Sequence, residues 1–185
     1  MVDFTYREMF PLKDDHTTYR LVTADHITPV EIDGSRFLRV APEGLTLLAE
    51  QAFRDVSHFL RTSHLKQLAA IFDDPESSAN DKAVALELLK NAVIAAEGEF
   101  PMCQDTGTAI VIGKKGQSVW TGYSDEEALS KGIFNAYTQG NLRYSQNAAL
   151  TTYEEKNTGC NLPAQFELYA VQGDDYHCLF LAKGG

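Results

Sequence analysis

Four stretches of the chain carry apolar residues at three- and four-residue spacing, and each predicts a helix. In the first, Leu45, Leu48, Ala49, Ala52, Phe53, Val56, Phe59 and Leu60 form one stripe, and Pro42 stands where a first helical residue often does. The second runs from about Ser63 to Phe72, with Leu65, Leu68, Ala69 and Phe72 on one face, and Asp74-Pro75 stops it. The third is capped near Asn80, carries Val84, Leu86, Leu88, Leu89, Ala92, Val93 and Ala96, and has Gly98 past its end. These three predict a helical layer with His58, His64 and Lys66 on its wet faces. The fourth follows Ser124, with Glu127 three residues on as a capping box. Its apolar face is Ala128, Leu129, Ile133, Phe134 and Tyr137, and Gly140 ends it.

Period-two or continuous apolar runs predict strands elsewhere. Tyr19–Thr23 and Arg36–Val40 are two short ones, the second preceded by the turn signal Asp33-Gly34. Thr108–Ile112 reads as a buried strand, Gly113-Lys114-Lys115-Gly116 as a turn and Ser118–Thr121 as the returning strand. Gln165–Val171 and Tyr176–Leu181 give the strongest hairpin signal, joined at Gly173-Asp174-Asp175. Residues 100–107 and 141–163 have neither period and read as loops. A helical layer followed by mixed strands and helices predicts an α+β (mixed α/β) fold. The last strand runs into Lys183-Gly184-Gly185. A glycine pair after a strand commonly opens a loop, so the chain is expected to stop short of a domain's end, a flexible tail being the alternative.

Composition narrows the function classes. The 185 residues suffice for one domain with its own core. A net charge of −10, from 16 Lys+Arg against 26 Asp+Glu, repels phosphate backbones, so no nucleic-acid partner is expected. Apolar runs fall far short of the roughly 20 residues that cross a bilayer, and residues 1–11 lack a secretory pattern, so no membrane partner is expected. Three cysteines, an odd and low count, point to free thiols in a reducing compartment, with cytoplasm the default.

Chemistry-bearing candidates are few. Cys103 sits in a loop between Pro101 and Gly107, beside Gln104 and Asp105. Loop thiolates ligate iron–sulfur clusters or zinc. Here no second cysteine follows within two to four residues, so Cys103 supplies one ligand or is simply a structural thiol. Cys178 lies in an apolar strand and reads as a small core hydrophobe; Cys160 in its loop is either reactive or incidental. Arg143, in a polar loop after the fourth helix, can clamp a carboxylate bidentately or can be a solvated surface charge. The five histidines show no metal-ligand spacing. There is no phosphate loop, no serine elbow and no nucleotide fingerprint.

Three segments together resemble motifs of one family. Pro101-Met102-Cys103-Gln104-Asp105-Thr106-Gly107-Thr108-Ala109 is similar to the first cluster-ligand motif of class I fumarate hydratases. So are 141–148, Asn-Leu-Arg-Tyr-Ser-Gln-Asn-Ala, and the stretch from Asn157-Thr158-Gly159 through Asn161-Leu162-Pro163-Ala164-Gln165. Ala182-Lys183-Gly184-Gly185, Phe10-Pro11-Leu12, Val40-Ala41-Pro42-Glu43 and Leu47-Leu48-Ala49 fit the same family, so the resemblance covers nearly the whole chain.

That resemblance implies an N-terminal iron–sulfur hydro-lyase domain over residues 1–185, helical at about 42–98 and sheet-containing at about 100–185, with a C-terminal domain absent. It implies a [4Fe–4S] cluster held by three cysteines, Cys103 first and the other two beyond residue 185. It makes Gln104 and Asp105 substrate contacts, Asp105 the proton donor, and Arg143 a ligand of a substrate carboxylate. The implied reaction is reversible hydration of fumarate to (S)-malate by a cytoplasmic homodimer, the isolated chain being inactive. The alternatives are the α subunit of an L-tartrate dehydratase and a non-catalytic binding or assembly domain.

Overall fold

The computed structural model describes residues 3–11, 18–102 and 107–183. Strand β1 (Ile27–Ile32) returns as β2 (Ser35–Val40) through Asp33 and Gly34. Both turn residues have positive φ, 48° and 76°, as a two-residue type I′ connection requires. The strand expected at Tyr19–Thr23 is not formed; β1 takes that place. Pro29 concealed β1 in the sequence, because proline cannot donate to a ladder, but β1 is an edge strand where proline is tolerated.

Helices α1 (Pro42–His58), α2 (Thr62–Ala70) and α3 (Ala79–Ala95) follow, close to their expected bounds. Pro42 occupies the first turn of α1. The cap of α3 is Ser78, two residues before the expected Asn80. Its hydroxyl accepts from the Asp81 amide at 3.1 Å while the Asp81 carboxylate accepts from the Ser78 amide at 2.9 Å, a reciprocal capping box. The three helices touch unevenly, α3 meeting both α1 and α2. α1 packs mainly on the later helix α4 (Asp125–Gln139) and on β8 (Tyr176–Lys183), whereas α2 lies against α3 and buries no residue fully. His58, expected to be wet, is 7% exposed, with its Nδ1 2.7 Å from the Arg54 carbonyl.

Among the described residues two separate three-stranded sheets depart from local expectation. β3 (Thr108–Gly116) runs straight through the predicted 113–116 turn, and β4 (Val119–Trp120) pairs in parallel with β2 rather than returning along β3. β7 (Gln165–Val171) and β8 are strands as predicted but are not a hairpin. β3 lies between them, parallel to β7 and antiparallel to β8, so the two sheets are ordered β1-β2-β4 and β7-β3-β8. The glycines at 113 and 116 serve close approach. A Cβ at Gly113 would lie 2.6 Å from Leu168 Cδ2, and one at Gly116 would lie 2.3 Å from the Gly173 carbonyl oxygen.

Lys114 and Lys115 are likewise not solvated turn charges. Lys114 is 5% exposed and pairs with Glu8. Lys115 Nζ donates to Thr121 Oγ1 at 2.6 Å and to Asp125 Oδ2 at 2.8 Å, and the Tyr176 hydroxyl donates to the same oxygen at 3.2 Å. Burial, then the nearby Cys178 and Asp125, raises the Tyr176 hydroxyl far above its ordinary range.

One core joins helices and sheet. Leu45, Ala49 and Phe53 of α1 meet Leu129, Ile133 and Tyr137 of α4 over Ala109 and Val111 of β3. Phe53 stands edge-on to Phe180 at 5.7 Å and an 84° tilt. Gly132 lets the two helices touch: a Cβ there would lie 2.2 Å from the Thr46 carbonyl oxygen. Phe134, expected on the apolar face of α4, is 42% exposed, and Gly132 and Ala136 take the buried positions instead. Ser124 caps α4 by accepting from the Glu127 amide at 3.2 Å.

Candidate functional site

Helix α4 ends, and strand β3 begins, at loops that the fold brings together. Gly140 closes α4, its amide bonded to the Ala136 carbonyl at 3.0 Å, and Asn141 turns the chain with φ 54°. Leu142 then plugs into the core. Arg143, the next residue, is exposed. Beyond it, Ser145 and Gln146 are held by a side chain from the third motif. Asn161, fully buried at 0% exposure, accepts from the Ser145 amide at 2.9 Å and the Gln146 amide at 3.0 Å. Its Nδ2 donates to the Gly107 carbonyl at 2.8 Å.

Further bonds tie the same loops. Thr108 Oγ1 donates to Gln146 Oε1 at 2.9 Å, and the Thr158 amide donates to the Gln146 carbonyl at 2.9 Å. Asn157 Nδ2 donates to the Tyr144 carbonyl at 2.9 Å, while its Oδ1 accepts from the Gly159 amide at 2.8 Å. The short strands β5 (Asn147–Ala149) and β6 (Glu155–Asn157) form the antiparallel pair between these loops. Leu162–Pro163 is a cis peptide.

Cys103, Gln104 and Asp105 lie outside the described residues. Their described neighbours are anchored on both sides. The Met102 amide donates to the Ser57 carbonyl at 2.9 Å, near the C-terminus of α1, and Gly107 is held by Asn161. Thus all three segments that carried the resemblance have described residues in one hydrogen-bonded cluster. Asn161 is the residue that reading the sequence missed. The signal available was an Asn-Leu-Pro stretch, since Asn is among the few non-glycine residues that adopt a φ of +58° readily.

The remaining candidates lie apart from the cluster or add no ligand set. Cys178 faces Gly113 across the β3–β8 ladder, and burial, then the Asp125 charge, pushes its thiol up to about 12. It is a half-buried thiol packed on the core, as the sequence suggested. Cys160 is half-buried, with its sulfur 4.0 Å from Thr158 Oγ1. Among the described residues no group of three or more His, Cys, Asp or Glu side chains is placed to hold a metal. None of their helices is long and apolar enough to cross a membrane. Two surface grooves of about 440 and 600 Å³ lie elsewhere, the first between α2 and α3 and the second beside α1 and α4. Neither is lined by the Asn161 loops, so the hydrogen-bonded cluster, rather than the larger concavities, is the candidate site.

Comparison with known proteins identifies the family. A family profile described as fumarate hydratase (Fumerase) matches residues 46–185. The anaerobic class I fumarate hydratase of Escherichia coli K12 is 60% identical over 182 residues, which is 98% of this chain and 33% of that protein. The aerobic class I fumarate hydratase of Salmonella typhimurium is 58% identical over 182 residues, 98% of this chain and 31% of its own length. Fumarate hydratase 2 of Leishmania major is 53% identical over 188 residues, 99% of this chain and 33% of that protein. The chain therefore spans about a third of the length of the curated relatives it matches.

Proposed function

The chain belongs to the fumarate hydratase (Fumerase) family, and from that premise we propose that it supplies the N-terminal part of a class I enzyme interconverting fumarate and (S)-malate. The observation that carries this is the convergence, around buried Asn161, of the loop bearing Arg143 with the chain that directly follows Cys103–Thr106.

In this reading Cys103 is one of three thiolate ligands of a [4Fe–4S] cluster, the other two lying outside the chain. A single loop thiolate is the chemistry of one ligand to a cluster shared with other segments. Among the described residues no group of three or more His, Cys, Asp or Glu side chains is placed for a metal, and Cys178 is held as a neutral thiol within the sheet. When bound, the cluster supplies an open iron, a Lewis acid for carboxylate and hydroxyl oxygens. Arg143 clamps the far carboxylate of the dicarboxylate, a planar fork meeting two oxygens. Gln104 contacts the substrate beside it. Asp105 holds the proton that the leaving hydroxyl takes up in the dehydration direction. The whole protein works as a cytoplasmic homodimer. Its relatives' names favour fumarate over tartrate as substrate.

The test uses the full-length protein prepared without air. Fumarate is expected to turn over far faster than L-tartrate. Cys103→Ala should abolish activity. Arg143→Ala should raise KM for fumarate and lower kcat. Preferential dehydration of tartrate, or unchanged kinetics in the Arg143 variant, would overturn the assignment.

A further inference from the structure

We propose that Asn161 is a positioning residue, fixing the register between the Arg143 loop and the start of β3 at Gly107–Thr108 and so the span across which a dicarboxylate is held. The proposal rests on the function assigned above and deepens it.

Two independent demands converge at this position. The backbone sits at φ +58°, where Asn, Asp and Gly are the residues commonly accommodated. The side chain must accept two backbone N–H groups and donate to a carbonyl, all from a site with no solvent exposure. Asp has the shape but offers no N–H to the Gly107 carbonyl. Gly has the backbone freedom but no carboxamide. Gln has the right groups on a side chain one methylene too long for a filled site. Only Asn meets both demands, and a buried amide left half-satisfied is expensive.

The consequence reaches Arg143 through the chain. Segment 142–146 is pinned at both ends: Leu142 in the core, and the Ser145 and Gln146 amides on Asn161. Arg143 stands between those two anchors, so its backbone cannot drift along the loop. The same carboxamide reaches across 54 residues to Gly107, and Thr108 reaches back to Gln146 beside it. Arg143 and the chain following Cys103–Thr106 therefore share one reference point. Misplacing a substrate-holding group by about 1 Å costs on the order of a hundredfold in rate, so a shared reference has a catalytic consequence beyond its contribution to stability.

The full-length, cluster-loaded protein is compared with Asn161→Asp, Asn161→Gly and Thr108→Val. The first variant keeps both acceptor bonds and removes the donor to Gly107. The second keeps the backbone freedom and removes all three bonds. The third cuts the parallel tie to Gln146. Three readouts are used: the KM-against-kcat split for fumarate, the inhibition constants of malonate, succinate and glutarate, and hydrogen exchange of the 143–147 peptide.

Asn161→Asp is expected to raise KM for fumarate at least tenfold with full cluster content. It should also flatten the preference for the four-carbon succinate over its shorter and longer homologues. Thr108→Val should do the same more weakly. Asn161→Gly should speed exchange at 143–147, whereas Asn161→Asp should not. If wild type hydrates fumarate but Asn161→Asp keeps the wild-type KM and inhibitor preference, losing activity only in proportion to folded protein, the positioning role is overturned alone. If wild type neither hydrates fumarate nor binds succinate, the functional assignment falls and takes this proposal with it. Should Asn161→Gly fail to fold, the Asp and Val variants still decide the matter.

Discussion

Replacing Gly132 with alanine sets two rules against each other. Helix propensity alone favours the change by about 1 kcal/mol, because glycine in a helix interior is the weaker former. The packing of α4 on α1 opposes it. The new Cβ would lie 2.2 Å from the Thr46 carbonyl oxygen, 2.8 Å from Ala49 Cβ and 2.9 Å from the Glu50 amide nitrogen. Two of those three atoms are backbone, so no side-chain rotation relieves the overlap. The helices must part by about 1 Å, which forfeits a quarter to a half of each contact they share. The pairs tying Thr46 to Ala128 and Asn135 to Glu50, 2.9 and 3.0 Å long, would stretch as well. Overpacking of this kind costs about 1–3 kcal/mol. Taking the upper end, since the obstacle is main chain, the net loss is about 2 kcal/mol. For a cooperative unit of about 150–250 residues that lowers Tm by about 4–8 °C, and by less where the full-length protein unfolds as one larger unit. Urea and thermal unfolding of the full-length protein, wild type against Gly132→Ala, would measure it. A Tm equal to or above wild type, as propensity alone predicts, would refute the claim that α1 and α4 meet at this glycine.

Two further outcomes follow from the structure. Under native conditions iodoacetamide should label Cys160 well before Cys178, whose thiol is kept protonated by burial; equal labelling rates on peptide mapping would contradict the ladder position given to Cys178. The Ser78 hydroxyl, and after it the Ser78 amide, hold the Asp81 carboxyl below its ordinary value. Its contribution is therefore complete above that ordinary value and is lost as pH falls through the lowered one. Ser78→Ala should destabilise the protein at neutral pH by about 1 kcal/mol and flatten the acid limb of its stability profile. An acid limb unchanged by the substitution would remove the capping box from the account.

What the sequence showed and what it hid follow the range of the interactions involved. Helices α1 and α4 were legible because their stripes, Pro42 and the Ser124 cap act within a few residues of one another, and α3 because Gly98 stands just past its end, although Val84, Leu86, Leu88 and Val93 turn out exposed. Strands β7 and β8 were visible as alternation, but no local signal says that a strand from fifty residues earlier separates them. Gly113 and Gly116 misled for the same reason. Glycine ordinarily marks a turn, and here it admits Leu168 and the Gly173 backbone, partners unknown until the sheet is assembled. Lys114 looked solvated because Glu8 is distant in sequence, and Lys115 because Asp125 lies in the next helix, beyond the reach of a local pattern. At the candidate site, the motifs named the loops through resemblance. The carboxamide that joins them stayed silent, because three hydrogen bonds to other segments' backbone leave no periodicity to read.

The placement of β3 between two later strands also has a consequence for biosynthesis. When β3 leaves the ribosome, neither ladder partner has been made; the last residue of β8 lies 67 positions beyond the end of β3. At about 5–20 residues per second the nascent chain spends several seconds before β7 can cover one edge of that apolar ribbon, and longer before β8 covers the other. α1 and α4 are complete well before then and can shelter Ala109 and Val111 on one face. A chaperone that recognises extended hydrophobic segments should therefore crosslink to residues 108–112 only in nascent chains too short to have released β8.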